Sequence, residues 1–424
     1  MSDTTNRRPH PLRRARPSRR WRDQRGVALV MTMIIVAVMF TYAISFSYNA
    51  RINFTIAKNV EEQVIAYFNA RSAIQITRLV VGSEKLFMKK FGIFLKAMKP
   101  PPKIELWRFA PLVVNFFNSK RLSLNGIRFA DLKNVDGLGA SRSGSFGLEK
   151  HELEDGKTNV NRLGLTTKGI RENTYRALRR RFLTKKKELF NDDETKIDAL
   201  ILAMIDWIDP DDNKIGLKTQ LDSTIPNQKI EFILSAGYGE DSSYSDQGYK
   251  SKDAPFDTLD ELRLVDGMTD EIFDAFKNQL TVYQTTNINV NEADRDTMKS
   301  LICDYLTTSQ DVICPPEQIG VQLVEPPPID KALTHFDNCR RLKRMFFTPM
   351  YSNVKYFRPT FNLLPSDVGV PFHIHGDIEK ILTTDSRVLR IVAKGTARKT
   401  KYTIEAIMDL KTVKWVYWRE GLGN

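Results

Sequence analysis

The chain has 424 residues, 42% of them hydrophobic, which is enough for two or three globular units. Its formal net charge is +13, but nine arginines and only two aspartates fall within residues 1–26. More than half of the excess charge therefore belongs to the N-terminus. A protein that binds nucleic acid needs such basic residues clustered on a folded surface. We therefore expect no nucleic-acid partner.

An apolar run without a formal charge extends from Val27 to Phe46. Its twenty residues match the length that an α-helix needs to cross about 30 Å of hydrocarbon. The arginine-rich segment before the run is expected to stay in the cytoplasm, which places the chain after Phe46 outside the membrane. The alternatives are a cleaved secretory signal peptide, which needs a shorter core and a small-residue cleavage site, and an ordinary signal anchor.

The junction between the basic segment and the apolar run reads Arg25-Gly26-Val27. A glycine at this place resembles the prepilin peptidase site of type IV pilins and pseudopilins. The resemblance implies that the chain is cut after Gly26 on the cytoplasmic side and that Val27 becomes the methylated N-terminal residue. Glycine suits a scissile bond because it has no side chain to block the approach of a protease to the backbone.

A helical repeat continues beyond the apolar run. Ile52, Ile56, Val60 and Val64 recur at steps of four residues, with charged residues between them. The pattern predicts an amphipathic stem helix that ends at Gly82-Ser83, where a glycine follows the periodic residues.

Several segments after the stem have clear local patterns. Ser143–Val160 predicts a β-hairpin with Asp155-Gly156 as its turn. Asp192–Trp207 predicts an amphipathic helix, and Leu259–Phe276 predicts two helices around a glycine hairpin. Near the C-terminus, strand-like residues predict an antiparallel meander formed by segments 388–394, 402–409 and 413–418.

Five short motifs follow one another in the middle of the chain: DWIDPDD (206–212), GED (239–241), PFDTLDELRLVDGMT (255–269), TVY (281–283) and INVNEA (288–293). In the order of the motifs and in their residues, this series resembles the GspK-type minor pseudopilins of type II secretion systems, within the type IV pilin-like superfamily. The resemblance covers the N-terminus and about residues 140–300. It implies an α+β fold, in which a long transmembrane and stem helix packs on a small antiparallel pilin-like sheet. A large α-helical domain of SAM-like or helix-hairpin-helix-like units is inserted in that sheet.

The resemblance also implies a division into domains. We expect a leader at 1–26, a transmembrane helix at 27–46, a periplasmic stem at 47–82, and the first part of the pilin-like domain at 83–165. The inserted helical domain is expected at 166–358, with one unit at about 166–254 and a second at 255–350, and the C-terminal strands at 359–424.

Acidic residues are concentrated in the first two motifs. Four aspartates within seven residues offer oxygen ligands on a tight turn, and a second acidic segment adds further ones. The resemblance implies that this region binds calcium, with six ligands expected: Asp206, Asp209, Asp211, Asp212, Glu240 and Asp241. The alternative is a solvated turn in which the aspartates cap helices and form Asx turns.

The three cysteines are Cys303, Cys314 and Cys339. In an oxidising compartment two of them form a disulfide and leave one thiol, and the sequence does not select the pair. The alternative is that all three are buried thiols.

Met31 occupies the fifth position after the expected cleavage, where most pilins carry a glutamate. In the family, that carboxylate compensates the N-terminal ammonium of a neighbouring subunit within the membrane. Its absence is a feature of the GspK type and suits a subunit at the tip, with no subunit ahead of it. The large insertion is also expected to clash with neighbours in a helical shaft.

The expected function is therefore that of a scaffold in the bacterial inner membrane, with the N-terminus cytoplasmic and the C-terminal domains periplasmic. The resemblance implies four partners: the other minor pseudopilins, the pseudopilus shaft, the prepilin peptidase and inner-membrane lipid. The sequence shows no nucleophile–base pair and no phosphate-binding loop, so we do not expect an enzyme, although a membrane-anchored hydrolase is the competing class. A minor pilin of a type IV pilus or DNA-uptake apparatus is the alternative function.

Overall fold

The structure is a computed structural model that describes most of the chain. The described residues are 20–97, 104–119, 121–124, 127–131, 144–165, 169–222, 229–283, 287–307, 310–315, 325–345, 348–362, 368 and 371–423. The chain divides into two compact units, residues 1–64 and 65–424.

The described residues form eleven α-helices and twelve strands. The helices are α1 (Arg20–Ala97), α2 (Ala110–Ser119), α3 (Ile170–Leu183), α4 (Lys186–Leu189), α5 (Glu194–Ile208), α6 (Asp270–Phe276), α7 (Arg295–Asp304), α8 (Gln310–Ile313), α9 (Pro328–Met345), α10 (Phe357–Asn362) and α11 (Ile378–Ile381). The strands are β1 (Arg121–Leu124), β2 (Ile127–Asp131), β3 (Gly144–Leu153), β4 (Thr158–Asn159), β5 (Asn213–Leu217), β6 (Phe232–Gly239), β7 (Leu280–Thr281), β8 (Ile288–Asn289), β9 (Leu382–Thr383), β10 (Val388–Ala397), β11 (Thr400–Asp409) and β12 (Lys414–Leu422).

The first unit consists, in its described part, of the N-terminal part of α1. Every residue from Gly26 to Ala57 is exposed, including the whole apolar run. Among the described residues, this is the one helix that is long and apolar enough to cross a membrane. Residues 1–19 of the expected leader lie outside the described residues.

The predicted end of the stem helix at Gly82-Ser83 is wrong, because α1 continues to Ala97. Val81 is buried in the hydrophobic core, and the Ser83 hydroxyl donates a hydrogen bond to the Val80 carbonyl at 2.7 Å. Glycine disfavours a helix by only about 1 kcal/mol, so tertiary packing on either side of Gly82 overrides its propensity.

Within residues 65–424, a four-stranded antiparallel sheet packs against α1, with its strands in the order β12-β11-β10-β3. Alternate residues of the central strands face the helix and are fully buried, among them Leu389, Ile391 and Ile404. They share one hydrophobic core with Ala70 and Ile74 of α1. The predicted C-terminal meander and the helix-on-sheet arrangement of the α+β fold are thus confirmed.

The predicted hairpin over Ser143–Val160 is wrong. β3 pairs with β10 in the four-stranded sheet, and a short 3₁₀-helix follows β3 at Glu154–Gly156. β4 then pairs in parallel with β7, more than a hundred residues further along the chain. The Asp-Gly turn signal is overridden because Asp155 is buried and accepts hydrogen bonds from Arg387 N and Val388 N at 2.7 and 2.8 Å.

The insertion between β3 and β10 contains two successive units that open and close in the same way. The first opens with β4 and closes with the parallel strand β7, and the second opens with β8 and closes with the parallel strand β9. Each unit encloses its own hydrophobic core, from Val160 to Val282 and from Ile288 to Leu382.

An asparagine clamp fixes each of these units. The Asn161 side chain donates to the Phe256 carbonyl at 2.9 Å and accepts from the Phe256 amide at 2.8 Å. Asn291 makes the same pair of bonds with Tyr351, at 3.0 and 2.8 Å. Both asparagines end an Asn-Val-Asn sequence that begins at the last residue of the opening strand.

The observed units differ from the expected boundaries at 254/255 and 358/359. Residues 256–282 belong to the first core, since Phe256 stacks on Trp207 with ring centroids 6.2 Å apart. Phe361 and Phe372 belong to the second core rather than to the sheet. The closing strands pair with the opening strands, and this long-range pairing sets the limits of each unit.

A disulfide lies in the second unit of the insertion. Cys303 near the end of α7 and Cys314 after α8 are bonded, with their Cα atoms 6.0 Å apart. Cys339 is a free, exposed cysteine. The pairing that the sequence left open is thereby assigned, and the alternative of three buried thiols is wrong.

Candidate metal centre

Three of the six predicted ligands come together where α5 ends. Asp206 lies in the last turn of α5, Asp209 directly follows the helix, and Glu240 begins a 3₁₀-helix after β6. One carboxylate oxygen from each lies within 4.8 Å of the others. All three residues are buried, with exposed fractions of 3%, 5% and 2%.

A hairpin carries Glu240 to the two aspartates. β5 and β6 pair in antiparallel orientation, with Asn213 opposite Gly239. The Glu240 amide then donates to the Asp212 carbonyl at 3.4 Å, which closes the hairpin beside the end of α5. Residues 213–217 and 232–238, which lie between the two acidic motifs, are therefore the arms of this hairpin.

Aromatic side chains form the apolar wall of the site. Trp207 lies edge-on to Tyr244 with ring centroids 5.4 Å apart, and it stacks on Phe256. Tyr249 contacts both Trp207 and Tyr244, at 6.2 and 5.5 Å. Burial and, to a smaller extent, the nearby charge of Asp206 raise the pKa of Tyr244, which places this aromatic cluster beside the carboxylates.

Burial raises the pKa of each of the three carboxyl groups. The pKa of Glu240 rises to about 9, because burial is reinforced by repulsion from Asp209 and Asp206. The pKa of Asp206 rises to about 7, although a hydrogen bond from Ile215 N opposes burial. Burial and the charge of Asp211 raise the pKa of Asp209 to about 6. The cluster therefore holds protons at neutral pH when no cation is bound.

The residues present fit a hard divalent cation such as calcium. Among the described residues, Asp209 Oδ1 and both carboxylate oxygens of Glu240 have no hydrogen-bond partner. Buried polar atoms without partners are rare in folded proteins, and a bound ion is one way in which such atoms are satisfied. Calcium binds six to eight oxygen atoms with flexible geometry, and three carboxylates supply up to six.

The other three predicted ligands lie apart from this cluster. Asp211 is exposed, and its carboxylate accepts from the Asn213 amide at 2.8 Å in an Asx turn. Asp212 is exposed as well. Asp241 forms an ion pair with Lys250 at 2.5 Å. The capping and turn roles that were the alternative for the whole motif therefore apply to part of it.

Asp253 is an acidic neighbour that the sequence analysis missed. Its charge contributes to the raised pKa values of Asp209 and Glu240. Its backbone has a φ of 52°, a left-handed conformation that aspartate tolerates better than most residues. In the sequence, the only sign that Asp253 belongs near the cluster is its acidic side chain just before Ala254-Pro255.

The predicted processing residues lie in α1. Gly26 and Val27 are both exposed, and no described residue outside the adjoining helical turns lies within 4 Å of the place that a Gly26 Cβ would occupy. Cleavage after Gly26 stays a prediction.

No family model matches the chain, and no curated protein matches it. Among solved structures, the chain is similar to one described as "The Crystal Structure of the GspK-GspI-GspJ complex from enterotoxigenic Escherichia coli Type 2 Secretion System". The two share 14% sequence identity with a TM-score of 0.40. The similarity covers 81% of this chain and 98% of the chain in that complex.

Proposed function

We propose that this chain is a minor pseudopilin of a type II secretion system, which forms the tip of the periplasmic pseudopilus and helps to initiate it. The observation that carries this proposal is an interrupted helix-on-sheet scaffold. Ser145 of β3 and Thr396 of β10 are hydrogen-bonded at 2.8 Å although 251 residues separate them. The helical insertion fills that interval, and it contains the five motifs that resemble the GspK type.

The proposed tip position rests on the size of the insertion and on the lack of a carboxylate at Met31. An insertion of this size between two sheet strands leaves little room for equivalent neighbours in a tightly wound shaft. Met31 provides no carboxylate for the N-terminal ammonium of a subunit ahead, so a position with no such subunit suits it. Both features point to an end of the filament.

The proposal includes a membrane orientation and a set of partners. The exposed apolar part of α1 spans the inner membrane with its arginine-rich end in the cytoplasm. Residues 65–424 then lie in the periplasm and contact the other minor pseudopilins and the first shaft subunit. Prepilin peptidase removes residues 1–26.

The proposal also assigns calcium to the cluster of Asp206, Asp209 and Glu240. When bound, the cation supplies the positive charge that these buried carboxylates lack. Asp206 and Asp209 fix the end of α5, and Glu240 fixes the end of β6. Calcium therefore stabilises the first unit of the insertion rather than taking part in a reaction.

Mass spectrometry of the membrane-extracted protein tests the pseudopilin class. We expect a mature N-terminus at Val27 that carries a methyl group, because the peptidase recognises the glycine junction. A Gly26→Leu variant should retain residues 1–26, since a bulky side chain then occupies the scissile position. A Gly82→Ala variant, altered in the same helix, should be processed normally. Intact Met1 in the unaltered protein, or a cut beyond Phe46, would contradict the proposal.

A further inference from the structure

A cleft of about 430 Å³ opens where the sheet meets both units of the insertion. Its lining includes Trp107 from a 3₁₀-helix at Leu106–Phe109 and His151 from β3. The first unit contributes Gln279 and the second contributes Glu292. The volume lies within the range of about 300–1,000 Å³ that is usual for sites that bind small ligands. We call it the junction cleft.

The charged groups that line the junction cleft compensate one another. Three are cationic and three are anionic: Arg108, Lys157 and Arg344, and Glu152, Glu292 and Asp294. Glu292 lies 2.6 Å from both Arg108 and Arg344, and Lys157 lies 2.8 Å from Glu152. Asp294 is paired at 2.6 Å with Arg181, which is not part of the lining. The lining therefore has no excess charge that would select an ion, and a neutral polar ligand suits it.

Two buried ring nitrogens belong to residues of this lining and have no hydrogen-bond partner within the described part of the chain: Trp107 Nε1 and His151 Nε2. Trp107 is 5% exposed, and the centroids of the two rings lie 5.4 Å apart. The Arg108 guanidinium covers the Trp107 ring at 4.4 Å from its centroid and fixes it in place. Because buried polar atoms normally have partners, these two nitrogens point to a ligand.

Trp107 and His151 offer opposite hydrogen-bonding roles. An indole N–H can only donate. Burial and the charge of Arg108 lower the pKa of His151 to about 4, so its imidazole is neutral at pH 7. Hydrogen bonds to the backbone of His151 and Trp107 oppose that shift, which assigns the ring N–H to Nδ1 and leaves Nε2 as an acceptor. The cleft thus has one donor beside one acceptor.

We propose that the junction cleft binds a neutral primary carboxamide, the group of asparagine and glutamine side chains. The carboxamide oxygen accepts from Trp107 Nε1, and its NH₂ group donates to His151 Nε2. A carboxamide suits this pair because its oxygen and one of its N–H bonds point to the same side. The site is separate from the carboxylate cluster of Asp206, Asp209 and Glu240, and it does not depend on the role of the chain in secretion.

Nuclear magnetic resonance of the full chain in a maltoside detergent tests the site, with isotope label only in the five tryptophans. Acetamide should shift the Trp107 indole signal, which is the one absent from Trp107→Phe, until the site is filled. Acetate has the same shape but carries a charge and no N–H. It should bind at least about tenfold more weakly, because His151 Nε2 then stays unpaired.

A second titration distinguishes the two sources of a carboxamide. N-acetyl-glutamine methylamide should bind more tightly than acetamide if the group belongs to the side chain of a partner protein. It should bind more weakly than acetamide if the ligand is a small free amide.

A substitution in the cleft provides an independent check. His151→Phe keeps a ring but removes the acceptor, so it should weaken acetamide binding about tenfold. The control is His375→Phe, which alters a histidine whose Nδ1 lies 3.4 Å from Asp377 at the surface and should leave binding unchanged. If His151→Phe does not fold, the comparison of acetamide with acetate on the unaltered protein decides. Equal binding of acetamide and acetate, or a Trp107 signal that acetamide does not shift, would overturn the proposal.

Discussion

Asp206, Asp209 and Glu240 place three carboxyl groups in a buried space where isolated negative charges are costly. Without a cation these groups reduce the cost by keeping protons, which is why burial raises their pKa values. A calcium ion and protons therefore compete for the same oxygen atoms. This competition makes the calcium assignment testable in two independent ways.

Substitution of one ligand separates the cluster from the exposed part of the acidic motif. At about 10 mM calcium and an affinity typical of extracellular modules, binding should stabilise the protein by about 1.4 to 2.7 kcal/mol. Asp209→Asn should abolish the rise in the thermal midpoint, because it removes a charged ligand. Asp211→Asn is the matched control and should keep the rise, because Asp211 lies outside the cluster. Equal responses of the two variants, or no response of the unaltered protein, would refute the site.

The response to calcium should depend on pH. The folded-state pKa values of about 7, 6 and 9 lie above the ordinary values of 3.8 and 4.5. The metal-free folded state therefore binds more protons than the unfolded state, and it loses stability as pH rises from about 4 to 9. Calcium needs the deprotonated carboxylates, so its stabilising effect should be larger at pH 8 than at pH 6. Thermal midpoints with calcium and with a chelator measure the difference, and a larger effect at pH 6 would contradict the assignment.

The acidic motifs are evident in the sequence, but it does not show which of their carboxylates lie together in the folded protein. Helical spacing brings Asp206 and Asp209 to one end of α5, and this is readable from the sequence. Glu240 joins them only because β5 and β6 form a hairpin of the right length, which depends on strand register. The resemblance implied a ligand role for Asp211 and Asp212 as well, yet both residues are exposed.

At the scale of secondary-structure elements, local sequence patterns predicted those elements whose formation depends on residues nearby in the chain. The C-terminal strands were predictable because their residues alternate between two environments and short turns join them. The hairpin predicted at Asp155-Gly156 does not form, since β4 pairs with β7 and Asp155 accepts hydrogen bonds from backbone groups near the start of β10, and neither contact is readable from the local sequence. The continuation of α1 past Gly82 was not predictable, because Val81 belongs to a core that includes residues far along the chain.

The contact between α1 and the sheet depends on a glycine in β10. A Cβ on Gly395 would lie 2.0 Å from the Ala66 carbonyl oxygen and 2.3 Å from the Ala70 amide nitrogen. Gly395→Ala should therefore cost about 1–3 kcal/mol or more, because both obstacles are helix backbone. Gly147→Ala in the neighbouring strand β3 is the matched control, since its added Cβ has no atom of a described residue within 4 Å apart from its chain neighbours. Chemical denaturation of the two variants measures the difference, and equal stability would contradict this close approach.

At the scale of the whole molecule, the order of helix, sheet, helical insertion and returning strands could be anticipated from the motifs. The internal organisation of the insertion could not. Its two units are defined by parallel pairs of two-residue strands and by the clamps of Asn161 and Asn291, which bind residues 95 and 60 positions away. Two-residue strands carry no readable alternation, so their pairing emerges only in the folded chain.

Immunogold labelling of purified pseudopili with an antibody against the insertion tests the tip position most directly. The insertion projects from the sheet of a subunit that should have no successor, so gold particles should mark one end of each filament. An antibody against the shaft subunit should mark the full length of the same filaments. Gold along the whole shaft with the insertion antibody would contradict the tip assignment.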